Sequence, residues 1–335
     1  MSGDEGRVSD LIIDLAVNKC HADSVRRDIM GNVIVEKKGT AQTNAPLPVL
    51  EITAHMDEVG FIVNKIESNG YVRFETVGGI DRRVVLGRRV FIGHDMVPGV
   101  IGLKAFHMVS AAEEKQAPGF DQMYIDIGAS SKEEAEKKVA PGDYIVFDSD
   151  FLKFGNGRIK AKAIDDRWGC ALMLELMSRP QPMDITYVFS VQEETGMRGA
   201  NGSAYSVKPD IALILEGASC SDIPTIPVGQ RISVVGSGPV IGCVDGSTIY
   251  DRGLFYLISG LADEAGIPWQ VKNRLAGGTD AAVVQRSREG VRVANISVPV
   301  RNIHCPSTIA GVSDIDNAAK LAQLFIEAVA AGKAQ

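Results

Sequence analysis

Short apolar runs alternate with amphipathic segments along most of the chain. Four runs are typical of buried strands, namely "PVLEITAH", "DITYVFSV", "DIALILE" and "VRVANISV". Between them, "DDRWGCALMLELMS" and "YDRGLFYLISGLADEAG" repeat apolar residues at helical spacing. Strand–helix alternation of this kind predicts an α/β fold on a mainly parallel sheet with helices on both faces.

The C-terminal segment has the same helical spacing. Its apolar positions are Ile315, Ala319, Ala322, Phe325, Ile326 and Val329. The helix opens with Ser313 and Asp316 three residues apart, which matches a capping box. We therefore predict a helix from about residue 313 to 331 that Ser313 caps.

One region interrupts the alternation. From about residue 67 to 156 the chain is rich in glycine and valine, and only "SKEEAEKKV" has a helical pattern. Short strand-like pieces of this kind predict a small β-rich domain. We expect it to be inserted into an α/β domain made of residues 1–66 and 157–335.

Composition narrows the class of protein. The formal net charge of −7 and the isoelectric point near 5.4 argue against nucleic acid or an anionic membrane as the main partner. No apolar run approaches the length of a membrane span, and "MSGDEGRVSD" lacks the features of a signal peptide. The five cysteines are scattered and form no C-x-x-C pair, which predicts reduced thiols in a cytoplasmic protein.

Polar residues of unusual type follow the predicted strands. His55 ends an apolar run, and Asp57 stands two positions later, on the same face of an extended chain. Asp57 can therefore accept the second ring N–H of His55 and fix its tautomer. A single histidine at a strand end is more often structural, but the H-x-D spacing favours a metal ligand.

Further acidic residues and a second histidine occupy similar positions. They are Asp165 and Asp166, Glu193 and Glu194, Glu216, and His304. The aspartate pair could be a plain helix cap, although one carboxylate would suffice for that. Because ligands bind at the carboxyl ends of strands in open α/β sheets, we expect these groups to converge. Imidazole and carboxylate ligands suit zinc, cobalt or manganese, and the set suffices for two ions sharing one carboxylate.

Glu193 and Glu194 adjoin each other at the predicted end of a strand. Successive residues of an extended strand face opposite ways, so we expect the two glutamates to do different jobs. The alternative is that both are solvated loop residues.

The motifs together resemble the cytoplasmic co-catalytic dinuclear-metal aminopeptidases. These include glutamyl and deblocking aminopeptidases, the tetrahedral TET particles, and relatives labelled "endoglucanase M" or FrvX-like. The motifs that carry the resemblance are "SGDEGRV", "DIMGNVIV", "AHMDEVGF", "QMYIDIGA", "GRIKAKAIDDRWGCA", "VQEETGMRGA", "EGASCSDIP", "GSGPVI", "GGTDAA" and "VPVRNIHCP". The resemblance implies an α/β/α metallopeptidase domain with an inserted β-rich domain that helps to assemble a dodecamer or a smaller closed homo-oligomer.

Roles for individual residues follow from this resemblance. It implies that His55 binds one metal ion and His304 the other, that Asp165 bridges both, and that Glu194 and Glu216 complete the ligand set. Glu193 would be the general base and Asp57 would orient His55. The Asp165–Asp166 peptide bond would be cis. Within "GGTDAA", Gly278, Thr279 and Asp280 would lie beside the substrate, although a plain glycine-rich turn explains this motif equally well.

The function predicted from these observations is metal-dependent removal of the N-terminal residue from small peptides. It would use two divalent ions, zinc or cobalt in the first place and manganese as an alternative. A deacylase of N-blocked amino acids could use the same metals. A glycoside hydrolase would leave His55 and His304 unexplained, and a scaffold without activity would not need the complete ligand set.

Overall fold

The computed structural model describes residues 1–40 and 46–334. Residues 41–45 and 335, which belong to the predicted α/β domain, lie outside the described residues. The strands are β1 (Ser24–Arg27), β2 (Val33–Lys37), β3 (Leu50–His55), β4 (Gly60–Ile66), β5 (Val72–Val77), β6 (Arg89–Ile92), β7 (Val97–Gly102), β8 (Tyr124–Asp126), β9 (Tyr144–Phe147), β10 (Leu152–Phe154), β11 (Arg158–Ala161), β12 (Ile185–Ser190), β13 (Ile211–Ser219), β14 (Val240–Ile241), β15 (Arg292–Val300) and β16 (Thr308–Gly311). The α-helices are α1 (Gly6–Asn18), α2 (Lys132–Ala135), α3 (Ile164–Met177), α4 (Arg198–Val207), α5 (Arg252–Glu264), α6 (Ala281–Val284) and α7 (Val312–Ala330).

A seven-stranded sheet forms the centre of the α/β domain, in the order β1-β2-β12-β3-β13-β15-β14. The four strands expected from the sequence are β3, β12, β13 and β15, and they lie side by side and parallel. The outer strands β1, β2 and β14 pair antiparallel. The predicted α/β class is confirmed, and the sheet is mixed with a parallel centre.

Alternation along β13 explains how the sheet is covered on both faces. Leu213 and Leu215 belong to the cluster that contains side chains of α3 and α7. Ala212 and Ile214, which face the other way, pack with α4 and α6. Both faces of the central strands are therefore buried, as expected for parallel strands under helices.

The β-rich region forms a closed barrel of the strands β4-β5-β8-β7-β6-β9 around an apolar core. The predicted boundary at residue 67 is wrong, because β4 already belongs to the barrel. The last barrel strand ends at Phe147, and β10 pairs instead with β11, which pairs with β16. The sequence of β4 does not show whether the strand belongs to the barrel or to the α/β domain, which is why the boundary was placed after it. That the barrel is a separate domain stays a prediction.

The start of α7 differs from the predicted capping box. The helix begins at Val312, and the preceding Gly311 provides no side-chain cap. The buried side chain of Asp314 instead accepts the backbone N–H groups of Gly236 and Gly238, at 2.6 and 2.9 Å. The predicted cap Ser313 lies inside the helix, one residue after its first residue. Within the part of the chain described, no helix combines the length and the apolar character that crossing a membrane requires.

Candidate metal centre

The carboxyl ends of the parallel strands bring the predicted polar residues together. His55 is the last residue of β3, Glu216 lies in the second half of β13, and His304 follows β15. Asp165 and Asp166 lie at the start of α3 with non-helical backbone angles, joined by a cis peptide bond. Residues separated by as much as 249 positions in sequence (55 to 304) therefore face one another at a single edge of the sheet.

The first group of ligand atoms surrounds the buried ring of His55. His55 Nε2 lies 3.3 Å from Glu216 Oε1 and 3.4 Å from Asp165 Oδ1. On the other side of the ring, His55 Nδ1 lies 3.2 Å from the backbone oxygen of Asp57 and 3.5 Å from Asp57 Oδ1. This contact orients the imidazole so that Nε2 faces the two carboxylates.

The second group surrounds His304. His304 Nε2 lies 3.0 Å from Glu194 Oε2 and 3.8 Å from Asp165 Oδ2. The other ring nitrogen, Nδ1, lies 2.7 Å from the carbonyl oxygen of Gly79, two residues after the barrel strand β5. The two oxygens of Asp165 therefore face different histidines.

The aspartate pair divides its functions between the two residues. Asp166 Oδ1 accepts the N–H of Gly169 at 3.3 Å, which is the role of a helix cap. The buried Asp166 Oδ2 finds no hydrogen-bond partner among the described residues. An oxygen of Asp166 also lies within 4.8 Å of donor atoms of His55 and Glu216. Asp166 is thus a further candidate ligand that the sequence analysis did not assign.

Glu193 and Glu194 do not lie on a strand, so the argument from strand alternation was wrong in its premise. Strand β12 ends at Ser190, and Gln192 has a left-handed backbone angle, φ 56°. The chain turns there, and the N–H groups of Glu193 and Glu194 donate to the two carboxylate oxygens of Asp57, at 3.0 and 3.2 Å. The turn directs Glu194 to His304 and leaves Glu193 at the wall of a cavity.

Burial and charge shift the protonation of these groups. Burial raises the pKa of Glu193 and of Glu216 well above the usual range, and the neighbouring Asp165 charge adds to the effect at Glu216. Burial lowers the pKa of His304, but the Glu194 carboxylate outweighs this and raises it to about 9. Carboxylates packed so closely are costly without compensating positive charge.

The donor set fits divalent metal ions. Among the described residues, the ion pairs of Asp165, Glu194 and Glu216 involve the two histidines and no lysine or arginine. Donor atoms of His55, Asp165 and Glu194 lie within 4.8 Å of one another. Imidazole and carboxylate ligands without cysteine suit zinc, cobalt or manganese.

A cavity of about 280 Å³ opens beside the clustered carboxylates and His304. Gly278 and Thr279 line it, whereas Asp280 is buried behind the wall and accepts the Ser190 hydroxyl at 2.5 Å. Asp280 therefore does not line the cavity as the resemblance implied. Sequence reasoning missed the lining residues Lys272, which lies in an irregular segment outside the motifs, and Met197, which lies within "VQEETGMRGA" but was assigned no role.

Known proteins are similar to this chain over nearly its whole length. The M42 glutamyl aminopeptidase family matches residues 31–321. The lysyl aminopeptidase of Pyrococcus furiosus is 32% identical over 96% of this chain and 91% of that protein. Aminopeptidase APDkam598 from the archaeon Desulfurococcus kamchatkensis superposes with a TM-score of 0.90 at 36% identity, over 97% of this chain and 90% of that one. The TET1 peptidase of Pyrococcus horikoshii, which can assemble into a tetrahedron or a large octahedral shell, superposes with a TM-score of 0.82 at 31% identity, over 96% and 94% of the two chains.

Proposed function

Because the chain belongs to the M42 glutamyl aminopeptidase family, we propose that its clustered histidines and carboxylates bind two divalent ions for the hydrolysis of N-terminal peptide bonds. The chain is an aminopeptidase, a hydrolase of a metallopeptidase family. The observation that carries the two-ion proposal is the position of Asp165. One of its oxygens faces His55 and the other faces His304.

Each ion would have its own ligands. His55 and Glu216 would hold the first, His304 and Glu194 the second, and Asp165 would bind both. When bound, such ions polarise the scissile carbonyl and make a water more acidic. Asp57 would hold the ring of His55 in the tautomer that a metal requires.

Glu193 would move the proton. Its side chain lines the cavity, and burial raises its pKa, which suits a group that must both accept and donate a proton. Glu193 would take a proton from the attacking water and deliver it to the leaving amine. Glu194 would not share this role, since its carboxylate is directed at His304.

An assay with and without a chelator tests this proposal. Aminoacyl p-nitroanilides should be cleaved by protein reconstituted with zinc, cobalt or manganese, and EDTA should abolish the reaction. The N-acetylated counterparts, which lack a free N-terminal amine, should remain intact. A deacylase would show the opposite preference. Carboxymethylcellulose is the control for the glycosidase alternative. Cleavage of blocked substrates alone would contradict the proposal.

Lys272 indicates which side chain of the substrate the cavity favours. Among the described residues lining it, Lys272 is the one lysine or arginine, and His304 is the other basic group. Only one contact of its ammonium group, with the carbonyl oxygen of Ala276 at 3.2 Å, appears in the described chain, and an ammonium has three donors. A substrate carboxylate could accept another, whereas a substrate lysine would be repelled. We therefore propose a preference for glutamyl over lysyl substrates.

Lys272→Met tests the preference while keeping the length of the side chain. We expect kcat/KM for a glutamyl substrate to fall about tenfold or more, because a hydrogen bond to a charged group contributes about 1.5–3 kcal/mol. The value for a leucyl substrate should change little. A wild-type preference for lysyl substrates would contradict the assignment.

The proposal also covers the oligomeric state of the protein and its location in the cell. The chain is similar to proteins that form large assemblies, such as the TET1 peptidase. We propose a closed homo-oligomer in which the barrel forms part of the contacts. Five free cysteines support a role in the cytoplasm.

A further inference from the structure

Among the motifs that contribute none of the proposed metal ligands, two are relevant to the turn that carries Glu193 and Glu194. They are "SGDEGRV" and "DIMGNVIV" near the start of the chain. Each nevertheless contains a buried polar side chain, Glu5 at 7% exposure and Asn32 at 0%. Burying such groups costs free energy unless they find hydrogen-bond partners. Their partners are backbone groups of the turn that carries Glu193 and Glu194.

Four consecutive backbone amides of this turn donate to side-chain oxygens from other parts of the chain. The bonds are Val191 N to Asn32 Oδ1 at 3.0 Å, Gln192 N to Glu5 Oε1 at 3.1 Å, Glu193 N to Asp57 Oδ1 at 3.0 Å, and Glu194 N to Asp57 Oδ2 at 3.2 Å. We call Glu5, Asn32 and Asp57 the amide cradle. It supplies the partners that a strand neighbour would supply if β12 continued.

Other groups fix the oxygens of the cradle in turn. The hydroxyl of Ser2 donates to Asp57 Oδ2. Glu5 Oε1 also accepts the N–H of Gly3 at 2.9 Å. Asn32 Nδ2 donates to Asp28 Oδ2 at 2.6 Å and to the carbonyl oxygen of Gly199 at 3.0 Å. The acceptors of the cradle are therefore also held by hydrogen bonds to groups other than the amides of residues 191–194.

The turn needs this support because its backbone is unusual. Gln192 has a positive φ of 56°, which side chains other than glycine adopt at a cost. This angle sends Glu194 toward His304 and leaves Glu193 on the cavity wall. A shift of the backbone at residue 192 would move both carboxylates.

We propose that Glu5 and Asn32 are positioning residues for the hydrolysis, acting through the backbone amides of residues 191–192. The roles of Glu193 and Glu194 in this statement depend on the function proposed above. The contacts of the amide cradle are independent of that proposed function. Glu5 is the better residue to test, because its neighbour Asp4 is exposed and provides a matched control.

The experiment compares Glu5→Ala, Glu5→Asp and Glu5→Gln with Asp4→Ala. Glu5→Asp keeps the charge but withdraws the acceptor by one methylene, and it serves if the alanine variant does not fold. Glu5→Gln keeps an oxygen acceptor. Hydrogen–deuterium exchange over residues 190–197 of the metal-free protein reports on the turn, while kcat, KM and metal content report on the reaction.

The amides of residues 191–194 should exchange about tenfold faster in Glu5→Ala and Glu5→Asp, since local opening becomes easier. Their kcat should fall about 10- to 100-fold, the effect of a misplaced catalytic group. KM should stay within about twofold, because substrate binding is not what is lost. Glu5→Gln should restore both readouts to nearly the wild-type values, and Asp4→Ala should match wild type throughout.

Unchanged exchange at residues 191–194 in the alanine and aspartate variants would overturn the cradle. Faster exchange with an unchanged kcat would overturn the positioning role. If wild-type protein cleaves no aminoacyl substrate, the proposed function fails, and the exchange data still decide whether the cradle exists.

Discussion

Glu51 lies in β3 and is a carboxylic acid with no exposed surface. One of its oxygens accepts the Thr53 hydroxyl at 2.7 Å, and the other has no hydrogen-bond partner among the described residues. Burial, with a smaller contribution from the charge of Asp280, raises the pKa of Glu51 from 4.5 to about 7. The proposed reaction does not use this group. Its protonation should nevertheless make the stability of the protein depend on pH.

The sign follows from the two pKa values. Below pH 4.5 both the folded and the unfolded chain carry the proton, so Glu51 contributes no pH dependence. Between pH 4.5 and about 7 the unfolded chain ionises while the folded chain keeps its proton, and stability falls as pH rises. Above that range the loss is constant at about 3 kcal/mol, because each pH unit between the two values corresponds to about 1.4 kcal/mol.

Glu51→Gln removes the titration and keeps an oxygen acceptor for Thr53. Relative to wild type, the variant should gain up to about 3 kcal/mol in the free energy of unfolding between pH 4.5 and pH 8. Urea unfolding followed by circular dichroism at both pH values measures the gain. Glu36→Gln, at an exposed position of β2, is the control and should show no such gain. A Glu51→Gln difference that does not change with pH would refute the reasoning.

Three further predictions concern the metal centre and the assembly. Glu193→Gln should keep its metal and lose kcat by a factor of about 10²–10⁴, as for a general base, whereas Glu194→Gln should first lose metal and partly recover with excess metal. Plasma emission together with kcat separates the two variants, and loss of metal from Glu193→Gln alone would reverse the assigned roles. Chelation should abolish activity and leave the circular dichroism spectrum nearly unchanged, since the ligands lie at the edge of a large core; global unfolding by EDTA would contradict this. Light scattering at micromolar concentration should give the mass of a closed homo-oligomer, and a monomeric mass would exclude it.

The sequence predicted best what depends on local composition. The four parallel strands were recognisable because each contains a short apolar run, such as the one from Ile211 to Leu215. It predicted poorly what depends on contacts distant in sequence. Asp314, in the first turn of α7, accepts the backbone N–H groups of Gly236 and Gly238, 78 and 76 positions away. The turn at Gln192 is held by Glu5, 187 positions away, and no periodicity signals such a contact.

The same limit applies to the site. The types of residue at strand ends predicted the clustered groups, because parallel strands deliver their carboxyl ends to one edge. They could not predict that Asp280 is buried behind the wall, since a glycine-rich motif does not tell which residue faces the cavity. Lys272 was missed for the related reason that cavity walls are made from segments without a repeating pattern.

The contact between His304 Nδ1 and the carbonyl oxygen of Gly79 has a consequence for how this architecture can be rebuilt. Gly79 follows a barrel strand, so the barrel orients a residue of the chemical centre in the other part of the chain. Replacing the barrel with a linker, or with a barrel grafted from a relative, would remove or displace that oxygen. The two parts are therefore not interchangeable modules, and an engineered or evolved exchange has to preserve the backbone at Gly79 together with its histidine.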